Sequence, residues 1–464
     1  MIRVAIVGGG ISGLSAAFYL DKARRAGAQL NYTLFESSDR LGGVIQTERR
    51  GDFIIEAGPD SFLSSKPWAA ELARELNIAD QLIGSNDATR KTYVLLNRRL
   101  VPMPDGLQMI EPAKILPIVF TPFFSLTTKL RMLSEYLFPP APLAEDKDES
   151  VASFVDRHFG GEVTRKLAAP LLAGVYGGDA DRLSVRAVLP RFVELEAAHR
   201  SLVRGVVAAK PTPKTNASSP IFSTFKVGMQ QLIDAVTGRL EAGNIRLACA
   251  VDNISRANND WRLHLANGQS MTFDRVILAL PAYAAAQLLR QLDAPLAATL
   301  DEIPYSSSVT VTAAFDEQQL PGVTFPPGFG FLVPRSEKIP LIACTFVQNK
   351  FNYRTPKGSA LLRCFMPEAI DWSGERIHAV VTQEIKSILG ITAPPRELRI
   401  FRWPRSMPQY EVGHLDRVAA IQNSVAMHGG LQLIGNAYRG IGVPDCVRDG
   451  KDAAGLVMKS IFAQ

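Results

Sequence analysis

Gly8, Gly10 and Gly13 carry the strongest chemical signal in this sequence. They follow the apolar run at residues 3–7 in a G-x-G-x-x-G spacing, which lets the backbone turn tightly enough for amide N–H groups at the positive end of the next helix to face a pyrophosphate. Ser12 lies inside the same turn and is a candidate for the same anion. Alone, the spacing is a weak signal. Glu36 strengthens it, because a carboxylate at the end of the second apolar run can accept hydrogen bonds from ribose hydroxyls. A carboxylate there also disfavours a 2′-phosphate, so a dinucleotide other than NADP is expected.

The elements that must position these residues form a βαβ unit: a strand at 3–7, a helix from Gly13 along the Ala16, Ala17 and Leu20 face, and a strand at 32–35. A helix is predicted from Lys66 through Leu76, then short strands at 93–96 and near Leu100. Residues 106–198 read as helices broken by prolines, with a polar interruption at 145–149, and 211–220 read as a loop. Strands are expected at 245–254 and 261–265 as a small antiparallel sheet, and at 275–280 as a buried strand ending at Pro281. Residues 307–365 are β-branched and aromatic enough for a second, mainly antiparallel sheet, followed by a helix at 377–389. A strand at 431–434, a glycine-rich turn and a helix at 446–462 close the chain.

With 464 residues, 47% hydrophobic, the chain can bury a large core divided among two or more units. Its net charge of +6 comes from 51 basic residues interleaved with 45 acidic ones, without the long basic runs of a nucleic-acid binder, and leans only slightly toward an anionic ligand or an acidic lipid surface. Cys249, Cys344, Cys364 and Cys446 are too few and too dispersed for a disulfide framework; they fit a reducing compartment and are expected in the core. The first strand follows Met1 almost at once, so no leader is expected. The apolar run at 115–128 is shorter than the roughly 20 residues of a spanning helix and contains Pro117 and Pro122, so no transmembrane helix is predicted. His414 and His428 lack metal-ligand spacing and carboxylate partners in sequence and read as structural; no metal is expected.

Two further signatures choose the cofactor. Arg40-Leu41-Gly42-Gly43, then Glu56-Ala57-Gly58-Pro59-Asp60, resemble the second signature of flavin amine-oxidase-like proteins. That resemblance implies FAD, with Arg40, Gly42 and Gly43 running past the pyrophosphate, Gly58, Pro59 and Asp60 continuing the site, and the backbone of Val251 on the adenine side. Leu433-Ile434-Gly435-Asn436 and Gly440-Ile441-Gly442-Val443-Pro444 fit the same picture. Gly435, Ile441, Gly442 and Val443 would let the backbone approach the isoalloxazine, and the following helix would aim its positive end at it, favouring reduced anionic flavin. Cys446 lies past that turn, so the FAD is expected to be non-covalent.

Four more strings carry a likeness that spans nearly the whole chain: Pro170-Leu171-Leu172-Ala173-Gly174-Val175-Tyr176-Gly177-Gly178-Asp179, Gly328-Phe329-Gly330-Phe331-Leu332-Val333-Pro334, Trp403-Pro404-Arg405-Ser406-Met407-Pro408-Gln409-Tyr410 with Gly413-His414, and Tyr438-Arg439-Gly440-Ile441-Gly442-Val443-Pro444-Asp445. They resemble the protoporphyrinogen oxidase and coproporphyrinogen III oxidase family. The resemblance implies an α/β fold with an FAD-binding Rossmann-like domain of the amine-oxidase (GR2) type at residues 1–85, 221–290 and 400–464, and Trp403 on the cofactor side. It also implies an α+β substrate-binding domain at 86–105 and 291–399, and an inserted helical, membrane-facing unit at 106–220. The implied reaction is hydride transfer from the porphyrinogen to flavin N5 during haem synthesis, with molecular oxygen or a quinone-linked chain as acceptor, and protoporphyrinogen IX as the expected substrate. No general base stands out.

On the substrate side the resemblance points to a carbonyl at Gly174, for which a helix C-cap is the bland alternative, and to Phe329 and Phe331 as an apolar wall, for which core packing is the alternative. Plant enzymes of the family carry an Arg before a Pro that pairs with a propionate; this chain has Val101 before Pro102, so Arg98, or Arg99, is the substitute, unless these are ordinary surface arginines. Residues 106–140, with Lys114, Lys129 and Arg131, suit an interfacial helix and a cytoplasmic enzyme held on the inner face of the cell membrane. A homodimer is compatible with the sequence but not dictated by it. Coproporphyrinogen, with more propionates, is the rival substrate. An amine oxidase would favour an aromatic cage that is absent near Gly435, and a GDP-dissociation inhibitor would not need the flavin signature at residues 40–43.

Overall fold

Short apolar strands alternating with helices give the first compact unit of the computed structural model, Met1–Ser85, Pro220–Pro304 and Asp416–Gln464. The structure describes residues 1–104, 107–108, 111–112, 121, 123–144, 147–208, 220–257 and 260–462. A five-stranded parallel sheet runs through the unit in the order Ile245–Arg246, Leu30–Phe35, Ile2–Val7, Arg275–Leu278, Leu431–Leu433. Val4, Ile6, Leu34 and Ile277 are fully buried, as central strands covered on both faces require. The helices Ile11–Arg25, Trp68–Glu75, Gln230–Thr237 and Val443–Phe462 contribute Leu14, Leu72, Ile233 and Val447 to the same core. Each such side chain, removed from water, stabilises the fold by roughly 1.5–3 kcal/mol.

The two strands of the expected 245–254 run are separate: Ile245–Arg246 edges the parallel sheet, and Val251–Ala257 forms an antiparallel three-stranded sheet with Asp260–Leu265 and Ser270–Phe273. The closing helix begins at Val443, ahead of the expected 446, because a proline in the first turn loses no intrahelical hydrogen bond. Cys249 is half-buried rather than in the core, and His428 does have a carboxylate partner, Asp293, at 2.7 Å.

The second unit comprises Asn86–Ser219 and Tyr305–Leu415. Its sheet has seven strands in the order Glu397–Pro408, Tyr305–Phe315, Ala360–Phe365, Ala343–Phe346, Gly330–Leu332, Thr92–Leu96, Arg99–Pro102. All neighbours are antiparallel except Gly330–Leu332 with Thr92–Leu96. One face packs against Gly374–Leu389 through Ile377, Val381 and Ile385, a helix capped by Ser373 and ended by Gly390 in the left-handed region. The helical part holds Leu126–Leu137, Val151–Phe159, Ala169–Tyr176, Pro190–His199 and Leu202–Ala208. Leu107–Gln108 and Glu111–Pro112 pair as short strands where helix was expected. The loop expected at 211–220 and the apolar run at 115–128 fall largely outside the described residues, as does Lys114. Compactness groups 86–219 with 305–415, so a functional division into substrate domain and helical unit is a matter for proposal.

Candidate active site

Different glycines of the first turn answer to different demands. A Cβ on Gly8 would lie 2.3 Å from the Ala279 carbonyl oxygen, and one on Gly13 would lie 1.9 Å from that of Gly8. Packing alone requires these two. Gly10 has ordinary extended backbone (φ −70°, ψ 175°), and a Cβ there would meet nothing within 4 Å. The open space beside it lies at the mouth of Ile11–Arg25, whose first turn has no acidic residue and no side-chain cap. Its N–H groups and dipole are therefore available to an anion, which is what a pyrophosphate requires.

Glu36 points back at this turn. One carboxylate oxygen accepts from Gly9 N at 2.7 Å, the other from Ser38 N at 2.9 Å and Ser38 Oγ at 2.8 Å. Cys249 N donates to Glu36 O at 2.9 Å, fixing the segment just before Val251 beside the acidic strand end. Gly42 N donates to Gly9 O at 2.8 Å, and a Cβ on Gly43 would stand 3.4 Å from Gly10 Cα, so the second signature is zipped to the first. Arg40 donates to the carbonyls of Leu41, Gly43 and Ile45, bracing that loop from within. Gly58 leaves no room for a side chain, since its Cβ would sit 1.8 Å from Val44 O; Pro59 follows, and Asp60 accepts from Ser61 Oγ at 2.7 Å.

The carboxy-terminal turn reaches the same place. Ile434 N bonds to Leu278 O, and a Cβ on Gly435 (φ +123°) would lie 3.9 Å from Ser12 Oγ. Gly450 lets Val443–Phe462 approach the first helix, because a Cβ there would be 2.4 Å from Ser12 O. Ser12, expected at the anion, is instead buried where Val443–Phe462 crosses the first helix. Sequence reasoning missed Asp445, which is 2% exposed, accepts from Lys66 Nζ at 2.6 Å, and faces Gly440 and Gly442, so the Ile441–Val443 stretch wraps a buried carboxylate. The signal was the acidic residue ending the Gly440-to-Asp445 string.

The substrate-side candidates and Trp403 belong to the second unit. Gly174 is an exposed residue of Ala169–Tyr176, and a Cβ on it would come 3.2 Å from Leu332 Cδ2. In that helix Ala173 O receives Gly177 N and Tyr176 O receives the Gln409 amide, while among the described residues no donor reaches Gly174 O. Phe331 is 3% exposed and packs on Phe346 in the core, with Tyr93 and Cys344 in the same cluster; Phe329 is half-buried. Leu332, unremarked in the sequence, is the side chain that meets Gly174. Arg98 sits on a hairpin tip, its backbone N–H held by Glu337 and its guanidinium paired with Glu384 at 2.8 Å. Trp403 pairs with Ser308 just before an irregularity in the Glu397–Pro408 strand.

Residues 11–458 match the family model for flavin containing amine oxidoreductases. The chain is 35% identical to the coproporphyrinogen III oxidase of Bacillus subtilis (strain 168), over 99% of each protein. The chain belongs to the protoporphyrinogen and coproporphyrinogen III oxidase family. This family also includes the chloroplastic protoporphyrinogen oxidase of Nicotiana tabacum, 28% identical over 97% of this chain and 84% of that one. A crystal structure of an Exiguobacterium sp. 255-15 protein assigned to protoporphyrinogen oxidase superposes with a TM-score of 0.87 and 32% identity, covering 99% of each chain. As a member of this family the chain is an oxidase with FAD as its cofactor, on a mixed α/β fold of the amine-oxidase type, and the open space at Gly10, the uncapped helix and Glu36 fit that group.

Proposed function

We propose that this chain oxidises a porphyrinogen to the porphyrin in haem synthesis. The carrying observation is the meeting, within one unit, of the Gly10 cradle, the Glu36 strand end and the Gly435 turn, in a chain similar from end to end to porphyrinogen oxidases. Coproporphyrinogen III is favoured as substrate by the full-length similarity to the Bacillus subtilis enzyme. Protoporphyrinogen IX is the second reading, supported by the Exiguobacterium structure.

When bound, FAD supplies the hydride acceptor. Gly10, Gly42 and Gly43 hold the pyrophosphate with the first helix, Glu36 the ribose, Val251 the adenine side, and Gly435, Ile441, Gly442 and Val443 the ring, with Trp403 completing the cofactor side. The Cys446 thiol, pushed up to about 12 by burial, is a poor nucleophile, which supports non-covalent FAD. Gly174 O accepts a pyrrole N–H; Leu332 forms the apolar wall beside it, with Phe329 and Phe331 stiffening that wall from the other face of the strand. Arg98 reaches a propionate by exchanging Glu384 for it. Molecular oxygen is the acceptor, a homodimer the assembly, and residues 106–220 the membrane-facing unit. That unit places the enzyme on the cytoplasmic face of the cell membrane through the exposed apolar side of Leu126–Leu137. Arg131, expected at lipid phosphates, donates to Asp156 O at 2.7 Å and supports the unit from within.

Purified protein reconstituted with FAD and offered each porphyrinogen in turn should develop porphyrin fluorescence, faster with coproporphyrinogen III. No fluorescence with either substrate overturns the reading; faster turnover of protoporphyrinogen IX reverses the order of substrates.

A further inference from the structure

We propose that Gln409 is a positioning residue for the oxidation: it fixes the turn that carries Gly174 O without touching substrate itself. The inference rests on the porphyrinogen reading above. The Glu397–Pro408 strand pairs regularly with Tyr305–Phe315 as far as Ser308 and Trp403, then resumes at Ser306 and Met407, so residues 404–406 bulge opposite Ser307. Arg405 takes φ +46° there and donates its N–H to Ser307 Oγ at 3.1 Å. Bulges of this kind re-aim the side chains that follow.

The re-aimed side chain is Gln409, 7% exposed. Its amide nitrogen shares its two hydrogens among Tyr176 O at 2.9 Å, Ser306 Oγ at 2.9 Å and Met407 O at 3.1 Å. The amide oxygen lies against Gly178, where a Cβ would sit 2.2 Å away, and a Cβ on Gly177 would be 3.2 Å from Ser306 Oγ. Downstream, Ser184 N donates to Tyr410 O at 2.8 Å and Val412 N to Arg182 O at 3.0 Å, so the chain beyond the bulge runs along the chain beyond the turn.

Ala169–Tyr176 ends a helical run that starts at Gly161 and passes through a π-helical turn at Thr164–Ala168, and its last carbonyls have no intrahelical donors. Tyr176 O is held by Gln409; Gly174 O, half a turn earlier, receives no donor among the described residues. Releasing Gln409 lets the end of the helix fray and moves the carbonyl that must meet the macrocycle. The two glycines are small because the amide and the Ser306 hydroxyl occupy the space of their side chains.

The test separates flavin reduction by substrate from flavin reoxidation. Gln409→Met keeps length and volume but has no N–H to donate; Gly178→Ala displaces the amide from the other side. In anaerobic stopped-flow mixing with coproporphyrinogen III, each variant should reduce its FAD about tenfold more slowly or worse, the penalty of a misplacement well under 1 Å to 1 Å. Reoxidation by oxygen of the dithionite-reduced variants, and their FAD content, should match wild type. Combining the two changes should cost little more than either alone, since both release one contact. Should neither variant fold, Ser306→Ala removes a single partner and should still slow reduction measurably. Reduction at the wild-type rate in the folded variants, or a loss explained by lower FAD content, overturns the inference. A wild-type enzyme inactive on both porphyrinogens overturns the functional reading and this inference with it; an active wild type with unaffected variants overturns this inference alone.

Discussion

Replacing Gly10 with alanine adds one methyl group to a space that no protein atom fills, whereas the same methyl at Gly8 or Gly13 collides with a carbonyl oxygen. Gly10→Ala should therefore melt like wild type yet bind FAD about 10- to 100-fold more weakly, the equivalent of one charge-assisted hydrogen bond of about 1.5–3 kcal/mol. Gly13→Ala should fail to fold stably at all. Thermal melts paired with FAD titrations check this, and wild-type affinity in Gly10→Ala places the pyrophosphate elsewhere. The spacing of the three glycines was legible in the sequence; which of them faces a ligand was not, because that depends on Ala279 and on the direction of a missing Cβ. The same limit appears at Leu332. Aromatic residues drew attention to Phe329 and Phe331, but strand alternation turns Leu332 to the opposite side from core residue Phe331, and toward Gly174. Arg98 and Glu384 are 286 positions apart, so their ion pair left no local trace.

Among the elements, the helices of the second unit are joined by a buried histidine. His158, 1% exposed, bonds Glu135 through Nδ1 and Glu196 through Nε2, each at 2.9 Å. Arg157 pairs with Glu196 and Glu149, and Glu135 also accepts from Ser201 Oγ and Leu202 N at 2.7 Å, capping Leu202–Ala208. Burial disfavours the imidazolium, but the two carboxylates outweigh it and raise the His158 pKa above its ordinary 6.5. Burial likewise works against the Glu196 carboxylate, but His158, Arg157 and Leu143 N together lower its pKa to about 2. The histidine's contribution is complete below pH 6.5 and is lost as pH rises through its raised folded value. The glutamate's is complete above 4.5 and is lost on acidification toward 2. Melting temperature should thus fall as pH rises above 6.5 in wild type, and His158→Leu, which takes the cation from the buried Glu135 carboxylate while Arg157 still pairs with Glu196, should lose about 3–5 kcal/mol and that slope together. A flat wild-type profile from pH 6 to 9, or a variant as stable as wild type, rules the clamp out. The sequence pattern marked residues 106–198 as broadly helical, without their separate helices or Leu202–Ala208, and the clamp joins residues 23, 38 and 66 positions apart, beyond any helical repeat. The strand bulge ahead of Gln409 was equally invisible, since nothing in Trp403-Pro404-Arg405-Ser406 states its partner's register.

For the molecule as a whole, the sequence reading tied the two ends of the chain to one cofactor, and Gly450 packed on Ser12 realises that link between the amino- and carboxy-terminal helices. Membrane attachment poses a question of the same scale. No helix among the described residues is long and apolar enough to cross a membrane, and the feature that bears on attachment is an exposed apolar surface. Leu126–Leu137 offers one: Leu126 (72% exposed), Leu130, Leu133 and Leu137 recur at helical spacing along one side, continued by Phe138 (79% exposed) and by Val207 on Leu202–Ala208. Leaving such a stripe in water is costly, and laying it into a lipid headgroup region recovers roughly 1 kcal/mol for each half-exposed leucine. Residues 115–128 suggested the location because they are the most apolar stretch, yet the stripe lies mostly beyond them, where threonine, lysine and glutamate between the leucines dilute the run without interrupting the face. In co-sedimentation with phosphatidylglycerol vesicles, the FAD-loaded protein should pellet, and Leu130→Asp with Leu133→Asp should return it to the supernatant with about tenfold weaker partitioning or less, each aspartate opposing insertion by more than the leucine favoured it. Binding that persists in the double variant assigns attachment to another surface. Wild-type protein that stays in the supernatant with vesicles present leaves the stripe no lipid role, whatever its activity on either porphyrinogen.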